Sequence, residues 1–230
     1  MRALLLAAGL GTRLKPLTDT VPKCLVDIRG RPLLEYWIEL LLAGGIENIL
    51  INLHHLPEAI HSYLRAKAYQ ANILTTFEER LLGTAGTLRE NHAFFQGGPA
   101  MVIHADNLTR FDVRAFMDRY YWRPENVEIT MMTFRTDDPV SCGIVELDDS
   151  GIVQGFHEKV PNPPGNLANA AVYIVSPGVQ AYINALQGDA IDFSTEILPK
   201  FIGRINTYHN ADFHRDIGTP EQLAKARLEY

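Results

Sequence analysis

Arg13 and Lys23 are the first side chains whose charge and setting point to chemistry. They lie in a loop that follows an apolar run from Ala3 to Ala8 and contains Gly9 and Gly11. A continuous apolar run reads as a strand buried on both faces or as a buried helix segment, and the two glycines favour the strand. Glycine lets backbone N–H groups approach an anion without a side chain in the way. Arginine adds a planar fork for phosphate oxygens, and lysine a mobile point charge. A Walker loop needs Gly-x-x-x-x-Gly-Lys-Ser/Thr, which Gly9 to Leu14 does not supply. A dinucleotide fingerprint needs Gly or Ala where Leu14 stands, and an acid where His54-His55 end the next strand. A third reading is a loop that wraps a triphosphate with backbone N–H groups, Arg13 and Lys23. On the glycines alone, a plain tight turn with a surface arginine is an equal alternative. The two cations together favour phosphate.

Four further places carry groups of interest. Asp106 follows the apolar run Ala100 to Ile103, and a carboxylate at the carboxyl end of a central strand sits at a crevice edge. The competing reading is a helix cap or turn acid. Asp216 precedes Ile217-Gly218-Thr219-Pro220, where a cap before a helix is the competing reading. Glu78-Glu79 ends another strand shortly before Gly83-Thr84. There Gly83 permits close backbone approach, and the competing reading is a loop with a Thr84 cap. Glu158-Lys159 follows a strand and precedes Val160-Pro161. The eight histidines show no metal-ligand spacing, and Tyr120-Tyr121-Trp122 reads as a helix end packed on the core.

The elements that must position these groups alternate. Strands are expected at Ala3–Ala8, Asn48–Leu53, Ile73–Phe77 and Met101–His104. Between and after them come helices from Leu33, Pro57, Thr84 and Asp112. This order implies a parallel sheet with helices on both faces and ligands at the carboxyl ends of the strands. From Val127 alternating strands take over, with Asp148-Asp149-Ser150-Gly151 as a hairpin turn. Then come a strand at Ala168–Val175, a helix from Pro177, a helix from Ser194 to Phe201, a strand at Arg204–His209 and a last helix from Pro220. The 230 residues suit one large α/β domain or two small ones, with one compact domain the simplest account, and a net charge of −6 argues against a nucleic-acid or generic polyanion binder. Two cysteines are too few for a disulfide framework, and no apolar run spans a membrane. A cytoplasmic protein without a signal peptide is expected.

The ordered motif Leu6-Ala7-Ala8-Gly9-Leu10-Gly11-Thr12-Arg13-Leu14, Pro16-Leu17-Thr18 and Pro22-Lys23-Cys24-Leu25 resembles the signature of the sugar-1-phosphate nucleotidyltransferases. These are the nucleoside-diphosphate-sugar pyrophosphorylases, and the chain is similar to the single-domain guanylyl- and thymidylyltransferases. The resemblance implies one Rossmann-like domain over residues 1–230 with a mixed, mostly parallel sheet. Its nucleotide-binding half would be about 1–125 and its sugar-phosphate-binding half about 126–230. It implies transfer of a nucleotidyl group from a nucleoside triphosphate to a sugar 1-phosphate, with pyrophosphate released and Mg2+ as cofactor. Arg13 and Lys23 would be catalytic. Leu6, Ala8, Gly9, Gly11, Thr12, Arg13, Glu78, Glu79, Gly83 and Thr84 would bind the nucleotide. Gly143, Glu158, Lys159 and Asn169 would bind the sugar phosphate, and Asp106 and Asp216 the metal.

The chain departs from the family pattern at Ala105 and Ala171, where glycines are usual, and at Pro161, displaced by one from the usual Glu-Lys-Pro. An acid at Glu78 or Glu79 suits donors on a guanine edge, which points to GTP. A cytidylyltransferase acting on phosphocholine or another non-sugar phosphate is the runner-up, and a non-catalytic nucleotide-binding regulator the third reading. A monomer or homodimer is expected, with no room after the last helix for the extra C-terminal domain some relatives carry.

Overall fold

Ala3, Leu4 and Leu5 are fully buried, as a strand covered on both faces requires, and truncating such a leucine to alanine costs about 2–5 kcal/mol. The computed structural model describes residues 1–230. In chain order its elements are β1 (Arg2–Leu6), β2 (Asp27–Ile28), β3 (Arg31–Pro32), α1 (Leu33–Ala43), β4 (Asn48–Leu53), α2 (Pro57–Lys67) and β5 (Asn72–Phe77). Then follow α3 (Thr84–Glu90), β6 (Ala100–His104), β7 (Asn107–Arg110), α4 (Val113–Tyr121), β8 (Ile129–Arg135) and β9 (Gly143–Leu147). The chain closes with β10 (Val153–Glu158), β11 (Leu167–Val175), α5 (Pro177–Ala185), β12 (Ile205–His209), β13 (Phe213–Asp216) and α6 (Pro220–Glu229). The class is α/β with a mixed sheet. No helix is long and apolar enough to cross a membrane.

The chain packs as two compact units, each assembled from separated stretches. The first comprises Arg2–Leu81, Ile103–Phe111 and Asp212–Tyr230, and the second Leu82–Val102 and Asp112–Ala211 with Met1.

In the first unit β1 pairs in parallel with β4, and β4 with β5. Leu6 lies opposite Asn52, and Leu53 opposite Phe77. Ala105 N–H donates to Leu6 O at 3.1 Å, so the chain leaves β6 beside the end of β1. Ala7, His54, Glu78 and Asp106 thereby all follow strands that end at one edge, where ligands of parallel sheets bind. A short antiparallel ribbon, β7 with β13, sets Asn107 opposite Asp216. Trp37 of α1 fixes it by donating its indole N–H to Asn107 O at 2.8 Å. Arg215 ties it to α6 through Glu229 at 2.7 Å.

In the second unit β11 runs antiparallel to β8, which pairs in parallel with β12. The hairpin of β9 and β10 turns at Asp148–Gly151, where Asp148 accepts from the N–H groups of Ser150 and Ile152. The helix expected from Ser194 to Phe201 is instead a single π turn, Phe193–Ile197, followed by a 3-10 turn at Leu198–Lys200. Pro199 lacks the N–H that a continuing helix needs. At the end of α4 only Tyr120 is core. Tyr121 is exposed and Trp122 is 86% exposed, because α4 ends there with Arg123 folded back over the Tyr120 ring.

Candidate active site

The loop after β1 is held by backbone geometry that its residues prescribe. Gly11 has φ +61°, and a Cβ there would lie 2.8 Å from Thr18 Cγ2. The Gly11 carbonyl accepts from Leu14 N–H at 2.9 Å and from the Thr18 hydroxyl at 2.8 Å. His55 Nε2 in turn donates to Thr18 O at 2.7 Å. Leu14 is buried as the loop's anchor, whereas Gly9 has open space where a side chain would stand. Leu6 and Ala8 are buried, and Thr12 and Arg13 face outward. The loop thus presents backbone and one guanidinium to solvent over a fixed base.

Lys23 is 6% exposed, and its ammonium lies 2.8 Å from Asp106 Oδ2 and 3.4 Å from Asp216 Oδ1. Arg13 Nη2 stands 3.8 Å from Asp216 Oδ2. Two acids far apart in sequence meet here because Asp106 immediately precedes β7 and Asp216 ends β13, whose register is set by the ribbon. Desolvation opposes ionisation of Asp106, but the Lys23 ammonium and then His104 outweigh it and hold the carboxyl below its ordinary range. Burial pushes the neighbouring Cys24 thiol up to about 12, so that thiol stays protonated. Gly218 is part of the same cluster, since a Cβ there would lie 2.6 Å from Arg13 Nη2 and 2.8 Å from Asp216 Oδ2. Its place in the Asp216-to-Pro220 motif was legible, but its contact with Arg13 was not.

The donor set suits a hard divalent cation. Two carboxylates, each close to half exposed, converge on one positive charge, and the ammonium stands in for a cation. No cluster of three or more His, Cys, Asp or Glu side chains forms a closed cage. Magnesium uses one or two carboxylates and completes its shell with phosphate and water.

Of the acids after β5, Glu78 turns inward at 5% exposure and Glu79 faces solvent. Glu78 Oε1 accepts from Asn52 Nδ2 at 2.9 Å, and Asn52 Oδ1 accepts from Ala7 N–H at 2.7 Å. His54 Nδ1 donates to Glu78 O at 2.8 Å. Asn52 is a residue that sequence reasoning missed, although a polar side chain at the end of an apolar strand was a signal.

The remaining expected residues belong to the second unit. Gly83 has φ +74°, and a Cβ there would meet Ile191 O at 2.5 Å. Ile191 O accepts from the N–H groups of Ala85 and Gly86 at the start of α3, and the Thr84 hydroxyl accepts from Phe193 N–H at 2.7 Å. Gly143 lies opposite Glu158 in the β9–β10 register, where a Cβ would come 2.6 Å from Glu158 Oε2. Lys159 is exposed, with φ +49°, and its ammonium is 3.2 Å from Glu158 Oε1. Asn169 donates to the Tyr173 hydroxyl at 2.6 Å and accepts from Ala171 N–H at 2.9 Å. Ala171 occupies the break in the β11–β8 register with φ +55°, which is a backbone reason for glycine at that place. Ala105 is buried and has no positive φ, so alanine there meets no backbone penalty.

The family model for nucleotidyl transferases matches residues 2–230. The chain belongs to the nucleotidyl transferase family. Among curated members, the mannose-1-phosphate guanylyltransferase of Mycobacterium tuberculosis is 29% identical over 99% of this chain and 64% of its own length. The chain spans 62–64% of the length of that enzyme and of the comparable Arabidopsis thaliana and Candida glabrata members. A Bacillus anthracis structure described as a putative glucose-1-phosphate thymidylyltransferase has the same fold, with TM-score 0.90 and 21% identity over 99% of this chain and 94% of that one. HddC from Yersinia pseudotuberculosis, solved with GMP-PN, gives TM-score 0.83 and 26% identity over 99% of this chain and 98% of that one.

Proposed function

We propose that this nucleotidyl transferase makes a nucleoside-diphosphate sugar and pyrophosphate from GTP and a sugar 1-phosphate, with Mg2+ as cofactor. The observation that carries the reading is the meeting of Lys23, Asp106 and Asp216 beside Arg13 and the glycine loop. A phosphate oxygen of the sugar 1-phosphate would attack the α-phosphorus in line. The new P–O bond forms as the bond to the bridging oxygen breaks, and pyrophosphate leaves with that electron pair. The reaction needs positioned charge rather than a covalent nucleophile.

Each group then has a task. Backbone N–H groups from Ala8 to Thr12 and the outward Arg13 guanidinium would hold the β- and γ-phosphates, which become the leaving group. The Lys23 ammonium would meet the α-phosphate or the attacking phosphate. Asp106 and Asp216 would hold magnesium, which when bound offsets phosphate charge. The segment Glu78 to Thr84 would read the base. The buried carboxylate at Glu78 favours guanine, and GMP-PN bound to HddC supports the same choice. Gly143, Glu158, Lys159 and Asn169 would hold the sugar phosphate, with Gly143 leaving room for Glu158.

The test is pyrophosphate release across the common nucleoside triphosphates and a panel of sugar 1-phosphates that includes mannose 1-phosphate, with phosphocholine as the non-sugar acceptor. Release with GTP, a sugar 1-phosphate and magnesium supports the reading. Release only with CTP and phosphocholine, or none with any pair, overturns it.

A further inference from the structure

The carboxyl end of β4 holds the phosphate loop from below. Asn52 is 3% exposed and bridges two segments that are remote in sequence. Its carbonyl oxygen takes the Ala7 N–H at 2.7 Å, and its amide donates to Glu78 Oε1 at 2.9 Å. A neutral amide is the side chain that does both, because it carries an acceptor and a donor on one planar group. An aspartate would keep the acceptor toward Ala7 but set a second carboxylate against buried Glu78. A leucine would leave the Ala7 N–H and the Glu78 carboxylate to find other partners. His54 adds a second tie to the same segment by donating to Glu78 O.

We infer, resting on the nucleotide-binding reading above, that Asn52 is a positioning residue that locks the start of the phosphate loop to the Glu78 segment. Phosphate grip and base reading are then set by one buried amide. The mechanism is a matter of hydrogen-bond polarity: Glu78 must accept from residue 52, and residue 52 must accept from Ala7. Reversing the polarity at both ends of the 52–78 contact preserves the tie. In Asn52→Asp with Glu78→Gln, the new carboxylate accepts from both Ala7 N–H and the glutamine amide.

The experiment compares the wild type, Asn52→Asp, Glu78→Gln and the double variant. Two readouts are taken: amide hydrogen exchange over residues 7–14 in nucleotide-free protein, and KM and kcat for GTP in pyrophosphate release. Asn52→Asp is expected to speed exchange in that segment and raise KM by about tenfold or more, the size of losing a charged hydrogen bond, with a smaller change in kcat. Glu78→Gln alone, whose carbonyl still accepts from Asn52, is expected to leave the loop's exchange near wild type. The double variant is expected to return the loop's exchange toward wild type, while its KM stays raised because the Glu78 carboxylate also reads the base. If Asn52→Asp does not fold, recovery of folding in the double variant supports the tie, and continued failure overturns it. Wild-type exchange in Asn52→Asp, or exchange in the double variant no slower than in Asn52→Asp, also overturns it. If the wild type turns over no nucleotide pair, the nucleotide reading fails while the exchange comparison still decides whether Asn52 holds the loop.

Discussion

Lys23→Met keeps the apolar stem of a buried side chain and deletes the ammonium that joins Asp106 to Asp216. A charged hydrogen bond contributes about 1.5–3 kcal/mol. Both aspartates keep more than two fifths of their side-chain surface exposed, so water screens them and the loss of stability should shrink to about 1–2 kcal/mol. Loss of turnover should be larger. A point charge placed against a reacting phosphate is expected to be worth about 10²–10³ in kcat, the range measured for a single transition-state donor. The effect on magnesium runs the other way. With the Lys23 ammonium gone, the two carboxylates keep only the more distant Arg13 guanidinium and His104 against their charge, and a divalent ion should bind and stabilise the variant more than the wild type. Urea unfolding with and without magnesium, beside pyrophosphate release, reads all three quantities. Undiminished turnover would show that Lys23 does not face the transferred phosphate. Weaker stabilisation by magnesium in the variant would show that the two aspartates are not a cation site.

Asp106→Asn should flatten the acid limb of stability. The folded carboxyl is held below its ordinary value, so its contribution is present above about pH 3.9 and lost as pH falls from there through the folded value. Urea midpoints across this range check it, and an unchanged acid limb would contradict it. Ala171→Gly should stabilise the protein by about 1 kcal/mol, because Ala171 sits at φ +55°, where a Cβ is penalised; a lower unfolding midpoint would contradict this. Gly83→Ala should cost at least about 2 kcal/mol, since its Cβ would meet the Ile191 carbonyl at 2.5 Å. Gly218→Ala presses mainly on movable side-chain ends of Arg13 and Asp216. It should leave the unfolding midpoint nearly unchanged while lowering kcat/KM by about tenfold, and equal losses in both would point to a purely structural glycine.

Much of the frame was legible because it follows from burial. The apolar runs that begin at Ala3, Asn48 and Met101 lie in the strands β1, β4 and β6, and pattern finds those directly, although β1 stops at Leu6 and the buried Ala7 and Ala8 already belong to the loop. The β7–β13 ribbon was not foreseen. Its arms are four residues each and include Asn107, Thr109, Arg110, His214 and Arg215, so no apolar alternation marks them. Yet that ribbon is what carries Asp216 to Asp106, so the meeting was expected from a motif and explained only by the pairing. Asn52 was hidden for a similar reason, since its two hydrogen bonds reach Ala7 and Glu78 from the middle of the sequence separation. Spacing along the chain encodes neither contact. The reason for glycine at the position of Ala171 was also invisible, because a positive φ in a strand is a property of the bulge and not of local composition.

The most direct measurement is a Mn2+ titration followed by electron paramagnetic resonance, in the presence of GTP, on the wild type, Asp106→Asn and Asp216→Asn. One protein-bound ion is expected in the wild type and a large loss of affinity in each variant, with folding retained by circular dichroism. Equal binding in all three proteins would mean that the ion sits on the nucleotide alone, and the pairing of these two carboxylates would have no part in holding it.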